Sequence, residues 1–293
     1  MRVRIERPNE ARNGPRKTGL YKNEYRNLTN RTYLLPASPA EWTVVLWPIT
    51  MGWLLFCVLF GYVLLCVKNP VGPAYKSPPV LGAWFLLNFT LSLFCVIAWS
   101  IVYDRELVVP AAVLSILAAI LSWIATAEIY RTVHEYGGWM ARHSRVMLWL
   151  YRLLWHNGMA GFTAWLTIQA IYVLFVTLRA MAGMSLINTV WGVFGSMTAI
   201  IVVWFILENS ILDSYGRYTF TQYPVVVVHM AGVYVAVKDL QNVNEVKAFA
   251  IALLALACVC AALRIILMFV RGFKCPLYSN NKVGEDPITS FAS

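Results

Sequence analysis

Charge is scarce in this chain. Asp, Glu, Lys and Arg make up 13% of its 293 residues, against about 25% in ordinary globular proteins, so a solvated globule is excluded as the main body. Metal-ligand spacings are absent: there is no C-x-x-C and no H-E-x-x-H, and His134, His143, His156 and His229 have no partner four residues away. No G-x-S-x-G elbow and no phosphate-cradling glycine loop occurs either. No catalytic constellation and no metal site is therefore expected, and the protein reads as non-enzymatic. The net charge of +10 is scattered over tails and loops, without a zinc-finger, RNA-binding aromatic or basic-zipper pattern. That excludes nucleic acid as the partner and suits lipid headgroups. Residues 1–41 lack the apolar stretch of a cleaved signal peptide, and no internal repeat stands out.

What the chain has instead is apolar length. Hydrophobic residues reach 59%, with 12 tryptophans, a residue that favours membrane–water interfaces. Seven runs are long enough to approach the ~20 residues that cross a bilayer core: 42–67, 79–102, 107–130, 156–178, 186–207, 222–237 and 246–270. The expected fold class is all-α, a polytopic membrane bundle of about seven helices over 42–270, between a basic polar tail at 1–41 and a short polar tail at 271–293. The sixth run is short, and the third carries Glu128 near its end. A tight Asp104-Arg105-Glu106 turn predicts an antiparallel hairpin of spans two and three, with Pro110 in the first helical turn of the third, where its missing N–H does no harm. Trp139 to Trp155 alternates basic and large apolar residues. It fits either an interfacial helix or an early start to span four.

Counted over the short loops and the last part of the tail, Lys and Arg are fewer on the N-terminal side, which favours an outside or lumenal N-terminus. Two sequons, at Asn27 and Asn30, agree with that orientation. A strongly basic tail is awkward to translocate and argues against it. Cys57, Cys95, Cys258 and Cys260 lie in apolar runs and read as small core residues. Cys275, just past the last run among basic residues, suits reversible palmitoylation.

The stretch His156 to Leu178 organises the rest. Steps of three and four place Gly158, Phe162, Trp165, Gln169 and Tyr172 on one helical face, and a Gln in mid-span needs a neighbour or a cavity. Trp165 lies too deep to be an interfacial anchor, so it packs between helices or lines a pocket for a planar guest. Trp42 and Trp47 flank the start of span one, where anchoring competes with ligand contact. His229, in mid-span six, is an intramembrane ionisable group and so a candidate ligand contact or proton relay, or simply a satisfied core histidine. Glu128 and Glu208 near span ends read as solvated, and Arg264 as a side chain that snorkels to the surface. Leu212 to Arg217 fits a proposed sterol-binding pattern.

Several of these stretches resemble one family. Ser38-Pro39-Ala40-Glu41-Trp42 followed by Leu46-Trp47-Pro48, then Ala98-Trp99-Ser100, then Ala164-Trp165-Leu166-Thr167 resemble, in order and spacing, the tryptophan motifs of the translocator protein/tryptophan-rich sensory protein family over about residues 39–178. The family's first helix has no counterpart in the polar residues 1–41, and Val96 and Ile101 stand where its pattern has Asn and Pro. The resemblance implies a helical bundle with a pocket for a flat hydrophobic ligand, a porphyrin or a sterol, and a cytosolic N-terminal tail.

The functional expectation is a multi-pass protein that binds a small hydrophobic ligand for transport or sensing, between spans one, two and four. Candidate contacts are Trp42, Trp47, Trp99, Phe162, Trp165, Gln169, Tyr172 and His229. A seven-helix receptor and a proton-coupled transporter using His229 are the alternatives. Partners are the lipid bilayer and the ligand, with self-association left open.

Overall fold

The computed structural model describes residues 35, 38–69, 72–240 and 243–278. It is an all-α polytopic bundle. A 3-10 turn, Glu41–Val45, leads into α1 (Leu46–Cys66). A loop follows that carries a two-residue antiparallel ribbon, β1 (Lys68–Asn69) with β2 (Gly72–Pro73). Then come α2 (Ala83–Asp104), α3 (Val108–His143), α4 (Arg145–Leu150) and a π-helical stretch, Tyr151–His156, that runs straight into α5 (Asn157–Ala182). The chain continues through α6 (Leu186–Asn209), a single turn α7 (Asp213–Gly216), α8 (Gln222–Val237) and α9 (Asn244–Lys274).

Six of these segments have the length and apolarity to cross a bilayer. The chain is thus an integral multi-pass membrane protein. The helix over 222–237 has the expected bounds, but its 16 residues extend only about 24 Å against a core of about 30 Å. The α2–α3 hairpin forms as expected, closed by Glu106 in the left-handed region at φ 60°. The stretch Trp139–Trp155 divides: residues up to His143 complete α3, which runs on past the expected end at 130, and those from Arg145 make an early start to span four. Arg145–Ala182 forms one apolar segment, and Met147, Leu148, Tyr151 and Trp155 are buried in the bundle.

α5 is the axis. It packs against α1, α3, α6 and α8, and 72% of its most apolar window is buried, against 22–39% for the other spans. Those outer helices turn residues such as Phe56, Phe94 and Phe269 outward, the surface that acyl chains cover. Small residues set the approach of α1 to α5: a Cβ on Gly158 would lie 2.8 Å from Cys57 Sγ and 3.0 Å from Trp53 Cδ1, so only glycine lets these helices close up. Gly232 does the same for the segment before α1. Its carbonyl accepts from Ala40 N at 2.9 Å, and an added Cβ would fall 2.1 Å from Thr43 Cγ2.

The cysteine expectation needs correcting in part. Cys57 and Cys260 are buried, Cys95 is half-buried, and Cys258 is exposed, because α9 turns that position away from the bundle. Cys275 is exposed at the end of α9. Asn27 and Asn30 lie outside the described residues.

Candidate functional site

The seam on α5 faces protein. Trp165 is 7% exposed and sits between Trp47 of α1 (ring centroids 6.4 Å apart) and His229 of α8 (6.4 Å, edge-on). Tyr172, two turns further along α5, meets the same imidazole at 5.3 Å, with Tyr172 Oη 3.3 Å from His229 Nε2. His229 Nδ1 is buried without a hydrogen-bond partner among the described residues. Four of the eight expected residues, Trp47, Trp165, Tyr172 and His229, thus form one cluster. The others lie apart. Phe162 turns to Phe89 of α2 and Trp99 stacks on Tyr103, while Gln169 is half-buried and Trp42 is 47% exposed. One helical face touches three neighbours here, so shared spacing did not mean a shared site.

The well-formed cavity is on the opposite side of α5, between α3, α5, α6 and α8, with Ala257 of α9. None of the eight expected residues lines it. Its volume is about 70 Å³. That is room for several waters and, with side-chain adjustment, for a compact apolar molecule. The walls are Ile168, Ile171, Met197, Ile201, Val226 and Met230. Trp123 and Trp204 pack edge-on at 4.6 Å and line both this cavity and an outer crevice with Ala199, Val203 and Leu207. Val203 is exposed on the bundle's outer face, so the crevice opens laterally toward the bilayer. Two pairings across helices fix the wall: Trp123 Nε1 donates to Thr167 Oγ1 at 3.0 Å, and the Thr126 and Thr163 hydroxyls pair at 2.8 Å.

One end of the cavity is polar. Gln222 and Tyr223 lie there, at the start of α8, with Tyr130 of α3. Behind them is a charge pair that the sequence did not suggest. Glu208 and Arg264 are each 0% exposed, and Arg264 Nη2 stands 3.1 Å from Glu208 Oε1. The carboxylate also accepts from Gln222 Nε2 at 2.7 Å and from Tyr223 Oη at 2.6 Å. The guanidinium donates further to Gly216 O at 2.5 Å, Thr219 O at 3.2 Å and Asn209 Oδ1 at 3.0 Å. Glu208 is therefore not solvated and Arg264 does not snorkel. Glu208 is held by Arg264 and by the Gln222 and Tyr223 side chains, and Arg264 by Glu208 and by the irregular backbone between α6 and α8, whose carbonyls need donors that lipid cannot supply. Glu128 does behave as expected, pairing near the surface with Arg131 at 2.9 Å.

At the end of α9, Asp213 accepts from Arg217 at 2.6 Å and from Arg271 at 2.8 Å. Arg217 also donates to the carbonyls of Arg271 and Cys275. Burial alone would raise the Asp213 carboxyl, but the two guanidinium groups outweigh it and hold it below the ordinary carboxylate value. The stretch Leu212–Arg217, which fits a sterol pattern, is thus engaged within the protein. Arg217 clamps Asp213 to the end of α9, and the Tyr215 ring lies 4.4 Å from that of His134. Arg152 is 6% exposed, with its guanidinium 4.2 Å from the ring of Tyr218 and 5.0 Å from that of Trp149, a stabilising arrangement where water is thin.

Sequence reasoning missed Trp123, Trp204, Gln222 and Tyr223. The usable signal was Gln222-Tyr223 opening a short apolar helix soon after a carboxylate, Glu208, at the end of α6. No family model, curated protein or solved structure matches this chain.

Proposed function

We propose that this multi-pass membrane protein binds a small hydrophobic ligand in the cavity between α3, α5, α6 and α8, for transport or sensing, without covalent chemistry. The observation that carries the reading is the cavity itself: apolar walls, a short polar end held by a fixed charge network, and a crevice toward the bilayer at Trp123 and Trp204. Ligand pockets combine these features, apolar area for affinity and a few placed polar groups for orientation. The guest would arrive through the lipid. A kinship with the translocator protein family stays part of this proposal, and of the porphyrins and sterols it suggests, an uncharged sterol is the first probe.

The test is tryptophan quenching in purified, lipid-reconstituted protein titrated with a quenching sterol. The expected result is a saturable signal, lost in Trp123→Phe/Trp204→Phe and in the cavity-filling Met197→Trp, but retained in Trp165→Leu. Quenching that rises in proportion to probe in the membrane, equal in all variants, would refute it.

A second reading has one observation in its favour. His229 is buried against Tyr172 with Nδ1 unpartnered, the arrangement a proton relay would use. Proton-coupled transport then predicts a pH-dependent flux abolished in His229→Ala.

A further inference from the structure

The polar end of the cavity carries a directional signal. Gln222 lines the cavity and is 7% exposed. Its amide nitrogen is committed to Glu208 Oε1, and Glu208 is fixed in turn by Arg264 and Tyr223. A carboxylate accepts only, so the amide cannot flip: the nitrogen must face Glu208. Gln222 Oε1 is then an acceptor held in place, and it is buried with no hydrogen-bond partner among the described residues. Two further groups of the cavity wall are buried and unpaired. Trp204 Nε1 can only donate, and the Tyr130 hydroxyl approaches that of Thr219 without a well-formed bond.

A buried polar atom left unmade is costly, and natural structures fill such positions with a partner. Hydrocarbon cannot serve Gln222 Oε1. Neither can a ketone, an ester or an ether, which have no proton to give. A carboxylate guest would set charge against this acceptor, with the Glu208 carboxylate just behind it. A hydroxyl can donate to Gln222 Oε1 while accepting from Tyr130 or Trp204. Resting on the reading of the cavity as a ligand site, we infer that the guest is a neutral hydrophobic alcohol, its hydroxyl donating to Gln222 Oε1 and its apolar body lying along α5. Glu208 and Arg264 act as positioning residues, setting the polarity of the Gln222 amide without touching the guest.

The test compares 11-bromo-1-undecanol with its methyl ether and with 1-bromoundecane, read as bromine quenching of Trp123 and Trp204 in reconstituted protein. The wild type should bind the alcohol about tenfold more tightly than the ether, the factor that goes with one hydrogen bond. Gln222→Leu should bring the two within about twofold while keeping saturable binding of the ether. Because Gln222→Leu also removes a bond to Glu208, Tyr130→Phe provides a variant that leaves the charge network intact; it should weaken alcohol and ether alike, since either oxygen can accept from Tyr130, and weakening of neither would place the guest elsewhere. Saturable binding of all three probes with equal affinity would overturn the inference and leave the cavity a ligand site. So would an alcohol preference unchanged in Gln222→Leu, as when an ordered water already satisfies Gln222. Absence of saturable binding of any probe would sink the inference together with the reading beneath it.

Discussion

Replacing Arg264 by methionine should destabilise the protein by about 3–5 kcal/mol, the range for stranding one partner of a buried ion pair. The geometry supports the upper part of that range. At 3.1 Å and an effective dielectric of about 20, the attraction lost is about 5 kcal/mol, although Gln222 and Tyr223 continue to serve the carboxylate. Glu208→Leu alone should cost a comparable amount by stranding the guanidinium. The double variant Glu208→Leu/Arg264→Met should cost at least about 2 kcal/mol less than the sum of the singles, since no charge is left unpaired. It should not return to wild type, because Gly216 O and Thr219 O lose their donor in both cases. Arg264→Lys, with charge kept but the fork of donors gone, should fall between. Unfolding in mixed micelles, followed by far-UV circular dichroism, measures all four. Additive single costs would refute the pairing, and a negligible cost for Arg264→Met would return that residue to the lipid surface.

Other consequences are as direct. Asp213 is held below its ordinary value by Arg217 and Arg271, so its contribution is complete above 3.8 and lost as pH falls below that; the stability advantage of wild type over Asp213→Asn should shrink across that acid range and be constant at neutral pH. Gly232→Ala should cost about 1–3 kcal/mol through overpacking against Thr43, and Thr43→Ser, which removes the offending methyl but keeps the hydroxyl bonded to Ala40 O, should restore most of it in thermal unfolding. If α8 crosses the membrane despite its length, the two ends lie on opposite sides. An endoglycosidase-sensitive gel shift abolished in Asn27→Gln/Asn30→Gln should then accompany a hydroxylamine-labile acyl label lost in Cys275→Ser.

Much of the architecture could be read from the letters, because lipid imposes one rule on every span: the backbone must satisfy itself, and only an apolar helix does so cheaply. The hairpin at Asp104–Glu106 and the bounds of α8 followed from that rule and from turn chemistry. The inward aspect of Trp165 was legible too, since a seam with Gln169 has no use for acyl chains. The site was less so. Periodicity says which residues share a face, not which neighbour covers it, and the face of α5 spreads over α1, α2 and α8. Single-residue reasoning also failed for Glu208 and Arg264. Each charge taken alone belongs at a surface, and only the fold, which brings residues 56 positions apart to 3.1 Å, makes burial tolerable. Gln222 gained its meaning from that pair and had none without it.

The most direct test of the central claim is where a hydrophobic guest lodges. A diazirine-bearing long-chain alcohol, photoactivated in reconstituted protein and mapped by peptide mass spectrometry, should label Ile168, Met197 and Met230, and excess unlabelled alcohol should suppress that labelling. Labelling confined to outward residues such as Ile251, Val259 and Phe269, and unaffected by competitor, would contradict the account.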